Sequence, residues 1–162
     1  MHRLLLASSI ALCACKPGAA ADTPATAVEV VVMPATYAAH SDAPADVVDK
    51  CKFEQAVAQA IVENTPGSTF STGTASKLLE LEIVSMRGVD PSWEGESRVI
   101  VRGKLVDSGQ TVGTFRIKRS ALGGVVGGMK GICKALGTIA GDMGEDVATW
   151  LRAPEMDAEL ER

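Results

Sequence analysis

The sequence predicts an α+β domain: a mixed, largely antiparallel four-stranded sheet with two helices packed on one face, in the order β-α-β-β-β-α. Three observations carry this expectation. A β-branched run, Ala27 to Met33, stops at Pro34. Three segments between Lys77 and Ser120 alternate apolar and charged residues, the period of a half-buried strand. Two further segments repeat apolar residues at helical spacing.

Taken in order, Ala27–Val28–Glu29–Val30–Val31–Val32–Met33 is almost continuously apolar, which suggests a central strand. Tyr37 to Ala45 contains Ser41–Asp42–Ala43–Pro44 and is expected to be a loop. Asp46 then caps a helix to about Asn64, whose stripe is Phe53, Ala56, Val57, Ala60 and Ile61, and Thr65–Pro66–Gly67 ends it. Strands follow over Lys77 to Arg87, Glu96 to Asp107 and Gln110 to Ser120. The tight turn Asp107–Ser108–Gly109–Gln110 makes the last two antiparallel neighbours. Their apolar parity is Val99, Val101, Leu105, Phe115 and Ile117. The opposite parity carries Arg98, Arg102, Lys104, Arg116 and Lys118. Glu80 and Glu82 share the polar parity of the preceding strand and could pair across to these cations. The closing helix, about Gly131 to Leu151, carries Ile132, Leu136, Ile139, Met143, Val147 and Trp150–Leu151. Its Gly137, Gly141 and Gly144 cost helix propensity, which close packing against the sheet would offset.

The N-terminus is expected to be an address. Arg3 precedes the short apolar run Leu4 to Leu12, which falls well below the about 20 residues a spanning helix needs. Leu12–Cys13–Ala14–Cys15 resembles a bacterial lipobox, with residues 1–14 as signal peptide and Cys15 as the palmitate-bearing anchor. Lys16 after the cysteine implies the outer membrane rather than retention in the inner one. The rival is cleavage after Ala19–Ala20–Ala21, releasing a soluble periplasmic protein. Residues 15–26 then form a flexible tether, 27–153 a single domain, and 154–162 a polar tail. Of the 4 cysteines, Cys51 and Cys133 remain for an oxidising compartment. Their pairing would stabilise by roughly 4 kcal/mol in the loop-entropy model; the other possibility is two separately buried thiols.

Candidate sites are few. The formal charge of −4 argues against nucleic acid as a partner. The stretch Gly123 to Gly131 matches neither a Walker loop nor a dinucleotide fingerprint; Gly127, Gly128 and Lys130 are a possible loop contact. Arg98, Arg102, Lys104, Arg116 and Lys118 form a candidate partner-binding face for anionic headgroups, lipopolysaccharide, peptidoglycan carboxylates or an acidic protein. The competing possibility is a solvated face neutralised by Glu80 and Glu82. Only 2 His occur, and His40 sits on a predicted loop. There is no Gly-x-Ser-x-Gly elbow and no His-Glu-x-x-His pair, so no catalytic residue, metal site or cofactor is expected.

The order strand–helix–three strands–helix behind Leu12–Cys15, with Asp107–Ser108–Gly109, Gly123–Gly131 and Trp150–Leu151 as landmarks, resembles small envelope lipoproteins of unknown function. These are related to the curli-secretion lipoprotein and to lipoprotein activators of penicillin-binding proteins. The resemblance implies a mixed sheet carrying helices and a role through protein contacts in the envelope. The expectation is a non-catalytic outer-membrane lipoprotein facing the periplasm with an envelope protein as partner. The alternatives are a soluble periplasmic binding or inhibitor protein and, further off, a small periplasmic hydrolase.

Overall fold

The computed structural model describes residues 29–73, 75–90, 95–122 and 128–160. The signal peptide, Cys15 and the tether lie outside them, as does Gly127. The element order is β1 (Val31–Val32), β2 (Thr36–Tyr37), α1 (Ala45–Cys51), α2 (Phe53–Asn64), β3 (Thr69–Phe70), β4 (Lys77–Arg87), β5 (Glu96–Asp107), β6 (Gln110–Leu122), α3 (Gly128–Trp150) and β7 (Ala158–Leu160). The strands form one mixed sheet in the order β3-β1-β4-β5-β6-β7, with β2 also paired to β4.

The long antiparallel meander β4–β5–β6 is the frame. Ser108 and Gly109 both take positive φ, 50° and 83°, so the β5–β6 connection is a two-residue turn whose twist matches the strands it joins. The core parity of β5 is Val99, Val101, Gly103 and Leu105, all buried. Gly103 is a gap that the Phe115 ring fills from β6: a Cβ there would lie 2.1 Å from the ring. Phe115 in turn meets Trp150 of α3 edge-on, with centroids 4.9 Å apart. A register shift between Ile83 and Ser85 lets β4 bury Ile83 and Met86 on the same side.

Four strands and two helices were expected, and the sheet has more of the first and the helical layer one more of the second. Among its described residues the run Ala27–Met33 forms a strand only at Val31–Val32; the Met33 N–H still donates to the Leu79 carbonyl (3.2 Å), the Ala35 N–H turns away to the Glu54 carbonyl (3.0 Å), and pairing to β4 resumes at Thr36. β3 adds two residues beyond β1, so β1 is interior although its ladder is short. The expected single helix breaks at Lys52, which is left-handed at φ 49°. Burial of Val47 before the break and Phe53 after it holds both halves on the core. The tail is not wholly free: after Asp157 at φ 55°, Ala158–Leu160 pair parallel with Phe115–Ile117 of β6. Three residues are too few to show a period.

All three helices contribute to one layer. Cys51, at the end of α1, is bonded to Cys133 in the first turns of α3, with Cα atoms 5.0 Å apart. Gly144 lets α3 approach α2 so closely that a Cβ would lie 2.6 Å from the Ala60 carbonyl oxygen. Gly137 and Gly141 have nothing within 4 Å of the same position. Close approach therefore explains one of the three helix glycines, and it is to a helix rather than to the sheet.

Candidate functional site: the helix-free face of the sheet

Because the helices cover one side, the opposite parity of β4–β7 has no layer over it among the described residues. Strand register sets its side chains in rows. Thr36, Glu82, Arg102, Arg116 and Glu159 are consecutive cross-strand neighbours from β2 to β7. Glu80, Lys104 and Thr114 form the next row. The Thr114 hydroxyl donates to Asp157 (3.1 Å) and accepts from its backbone N–H (2.7 Å), closing that row.

These rows enclose an open trough of about 660 Å³. Its ionisable lining is Glu80, Glu82, Asp157 and Glu159 against Arg102, Lys104 and Arg116. Of the five cations expected on one face, Arg102, Lys104 and Arg116 line this trough, whereas Arg98 and Lys118, of the same strand parity, line a separate recess with Asp142, Glu145 and Asp146 of α3; most of the five are matched. Lys104 lies 2.7 Å from Glu80, Arg116 lies 3.5 Å from Glu159, and Arg98 lies 3.0 Å from Glu96. All three are exposed pairs, of the kind that water and salt screen and that add little to stability. Among the described residues, Arg102 and Lys118 make no ion pair; Arg102 is exposed in the trough, directly opposite Arg116. The Glu96 carboxyl is held below the usual carboxylate range by the Ser120 hydroxyl first and by Arg98 second.

The other predicted positions are not part of this trough. Gly128 and Lys130 open α3, in the helical layer. His40 sits in an exposed turn. No group of three or more His, Cys, Asp or Glu among the described residues is placed to hold a metal.

Two features lie beyond the sequence reading. Arg119, of core parity, turns under the sheet to a buried ion pair with Asp146 of α3 and also donates to the Leu160 carbonyl (3.2 Å), tying α3, β6 and β7 together. Its odd position after Phe115 and Ile117 was a signal of burial that the sequence did contain. Tyr37 donates to Glu54 (3.1 Å); burial first, and Glu54 second, push its phenol well above the ordinary value.

No protein-family model matches the sequence, and no curated protein matches it. Solved structures share the architecture at low identity. A hypothetical protein from Chlamydia trachomatis is 10% identical with a TM-score of 0.55, over 77% of this chain and 96% of that one. A Xanthomonas campestris protein of the family model DUF330 is 11% identical with a TM-score of 0.53, over 78% of this chain and 85% of that one. A minor lipoprotein from Acinetobacter baumannii is 12% identical with a TM-score of 0.42, over 78% of this chain and 94% of that one. The first two establish a common fold; at such identities they carry no chemistry across.

Proposed function

We propose that this chain is a non-catalytic lipoprotein of the bacterial envelope, anchored through Cys15 to the outer membrane, that holds a protein partner on its helix-free sheet face. The observation that carries this reading is the trough itself: the concave, polar side of β4–β7 lies opposite all three helices. Antiparallel sheets commonly leave one face to water, and what sets this one apart is a recess of about 660 Å³ lined by charges of both signs.

Three further points support it. Leu12–Cys13–Ala14–Cys15 follows an export-type apolar run, and bacterial acylation would supply several chains, each buried CH₂ adding about 0.8 kcal/mol. The Cys51–Cys133 bond suits an oxidising compartment. Among the described residues, no helix is long and apolar enough to cross a membrane, so lipid is the anchor that this reading requires.

The test has two arms in a Gram-negative host. Cys15→Ala should remove lipid labelling and release the chain from outer-membrane fractions. Unchanged fractionation, or a mature N-terminus after Ala21, refutes the anchor. A photo-crosslinker at Glu82 in the trough should capture one specific envelope protein, and the same group at exposed Gln59 of α2 should not. Equal capture from both positions refutes the trough as the working face.

A further inference from the structure

The row Glu82–Arg102–Arg116–Glu159 places two guanidinium groups side by side between two carboxylates. Like charges directly opposite on adjacent strands are unfavourable, and here the outer glutamates offset them. Arg116 has Glu159 at 3.5 Å, whereas Arg102 has no ion-pair partner among the described residues although Glu82 is its register neighbour. The middle of the row therefore has spare hydrogen-bonding capacity for one anion, with planar forks suited to a carboxylate.

The lining also excludes some ligands. Three cations face four carboxylates, so a polyanion would meet a trough that is formally negative. A single negative charge seated between the arginines escapes most of that repulsion, and a positive charge beside it gains from the outer acids. Adjacent strands lie about 4.8 Å apart, so the point midway between β5 and β6 is about 7 Å from β4 on one side, and as far from β7 on the other. That distance separates a peptide's terminal carboxylate from the ammonium of a neighbouring basic side chain.

We infer that the trough binds a peptide-like zwitterion, its free carboxylate held between Arg102 and Arg116 and its ammonium group facing Glu82 or Glu159. This inference rests on the helix-free face being the working surface. The ligand class is a protein C-terminus or short peptide carrying an amine next to its carboxylate.

The probe is N-acetyl-Lys-Ala with a free C-terminus, titrated into the full chain at low salt and followed by calorimetry and amide NMR shifts. Saturable binding is expected, with shifts concentrated in β5 and β6. The C-terminal amide of the same peptide should bind about tenfold more weakly, as should Arg102→Gln and Arg116→Gln with the free acid. Acetylating the lysine should weaken binding by about threefold. Arg98→Gln, outside the trough, should leave it unchanged. Circular dichroism of each variant confirms folding, which exposed Arg102 does not control. Absence of saturable binding, equal binding of acid and amide, or inorganic phosphate binding as tightly as the peptide each overturns the inference. The Glu82 crosslink is read independently: capture without peptide binding leaves the partner face standing and removes the zwitterion, while peptide binding without capture does the reverse.

Discussion

Three glycines in one helix should respond to alanine with opposite signs. In α3, Gly137 and Gly141 have open space where a Cβ would go, and their φ values are ordinary for a helix. Alanine at either position should therefore return its propensity advantage, up to about 1 kcal/mol each. At Gly144 the same methyl would lie 2.6 Å from the Ala60 oxygen, 2.7 Å from its carbonyl carbon and 2.9 Å from its Cβ. Backbone cannot swing aside as a side-chain tip can, so α2 and α3 must part by about 0.8 Å to restore ordinary contact. A gap of that size forfeits a quarter to a half of the dispersion energy of each contact it opens, and overpacking of this kind costs about 1–3 kcal/mol. Against the same propensity gain, Gly144→Ala should come out destabilised by up to about 2 kcal/mol. Urea unfolding of the disulfide-intact chain, followed by tryptophan fluorescence, measures all three variants. The close-approach reasoning is refuted if Gly144→Ala unfolds at or above the midpoint of the parent.

Two other perturbations probe buried polar structure. Asp146→Ala leaves the Arg119 guanidinium buried without its carboxylate and should cost about 3–5 kcal/mol in the same urea assay. Arg119→Met with Asp146→Leu should recover most of that loss, and a double variant as unstable as the single one would show that the pair contributes more than it costs to bury. Tyr37 is the only tyrosine, so alkaline absorbance at the phenolate band reads it alone. The folded chain should titrate above the ordinary value of about 10, and the denatured chain at it. The folded state thus holds the proton more tightly: Tyr37's contribution to stability is complete below the unfolded value and is lost as pH rises through the folded one. Coincident folded and denatured titrations would remove the Glu54 contact from the account.

The parts of the fold that the sequence discloses are those whose period repeats often enough to exceed chance. β4 and β5 keep the expected bounds, Lys77–Arg87 and Glu96–Asp107, because alternation runs for many residues on each. The I′-type turn at Ser108–Gly109 needs only local chemistry. The two-residue ladders of β1, β2 and β3 exist because β4, or β1 beside it, offers them a partner, and no local propensity requires them. The break at Lys52 is likewise tertiary. Nothing in Asp46–Asn64 forbids a straight helix, yet burying both Val47 and Phe53, with Cys51 bonded to Cys133, requires a bend.

The candidate site divides along the same line. Alternation alone put Arg98, Arg102, Lys104, Arg116 and Lys118 on one face, and seen alone that set is a basic patch. Glu80 and Glu82 of β4, legible from the same alternation, already offset it, and two further acids come from elsewhere. Glu159 and Asp157 reach the face because Ala158–Leu160 dock beside β6, held by the ladder to Phe115–Ile117, by Thr114 on Asp157, and by Arg119, itself paired with Asp146, on the Leu160 carbonyl. A cation-rich hairpin in an acidic chain would attract polyanions and lose its grip with salt in proportion to the charges engaged. The same hairpin with β7 in place presents paired charges of both signs, so it should discriminate by the spacing of charges in a ligand rather than by their sum. The buried Arg119–Asp146 pair, through the Leu160 carbonyl, thus helps keep the last strand and its acids beside the hairpin, so its loss should leave the exposed face more plainly basic.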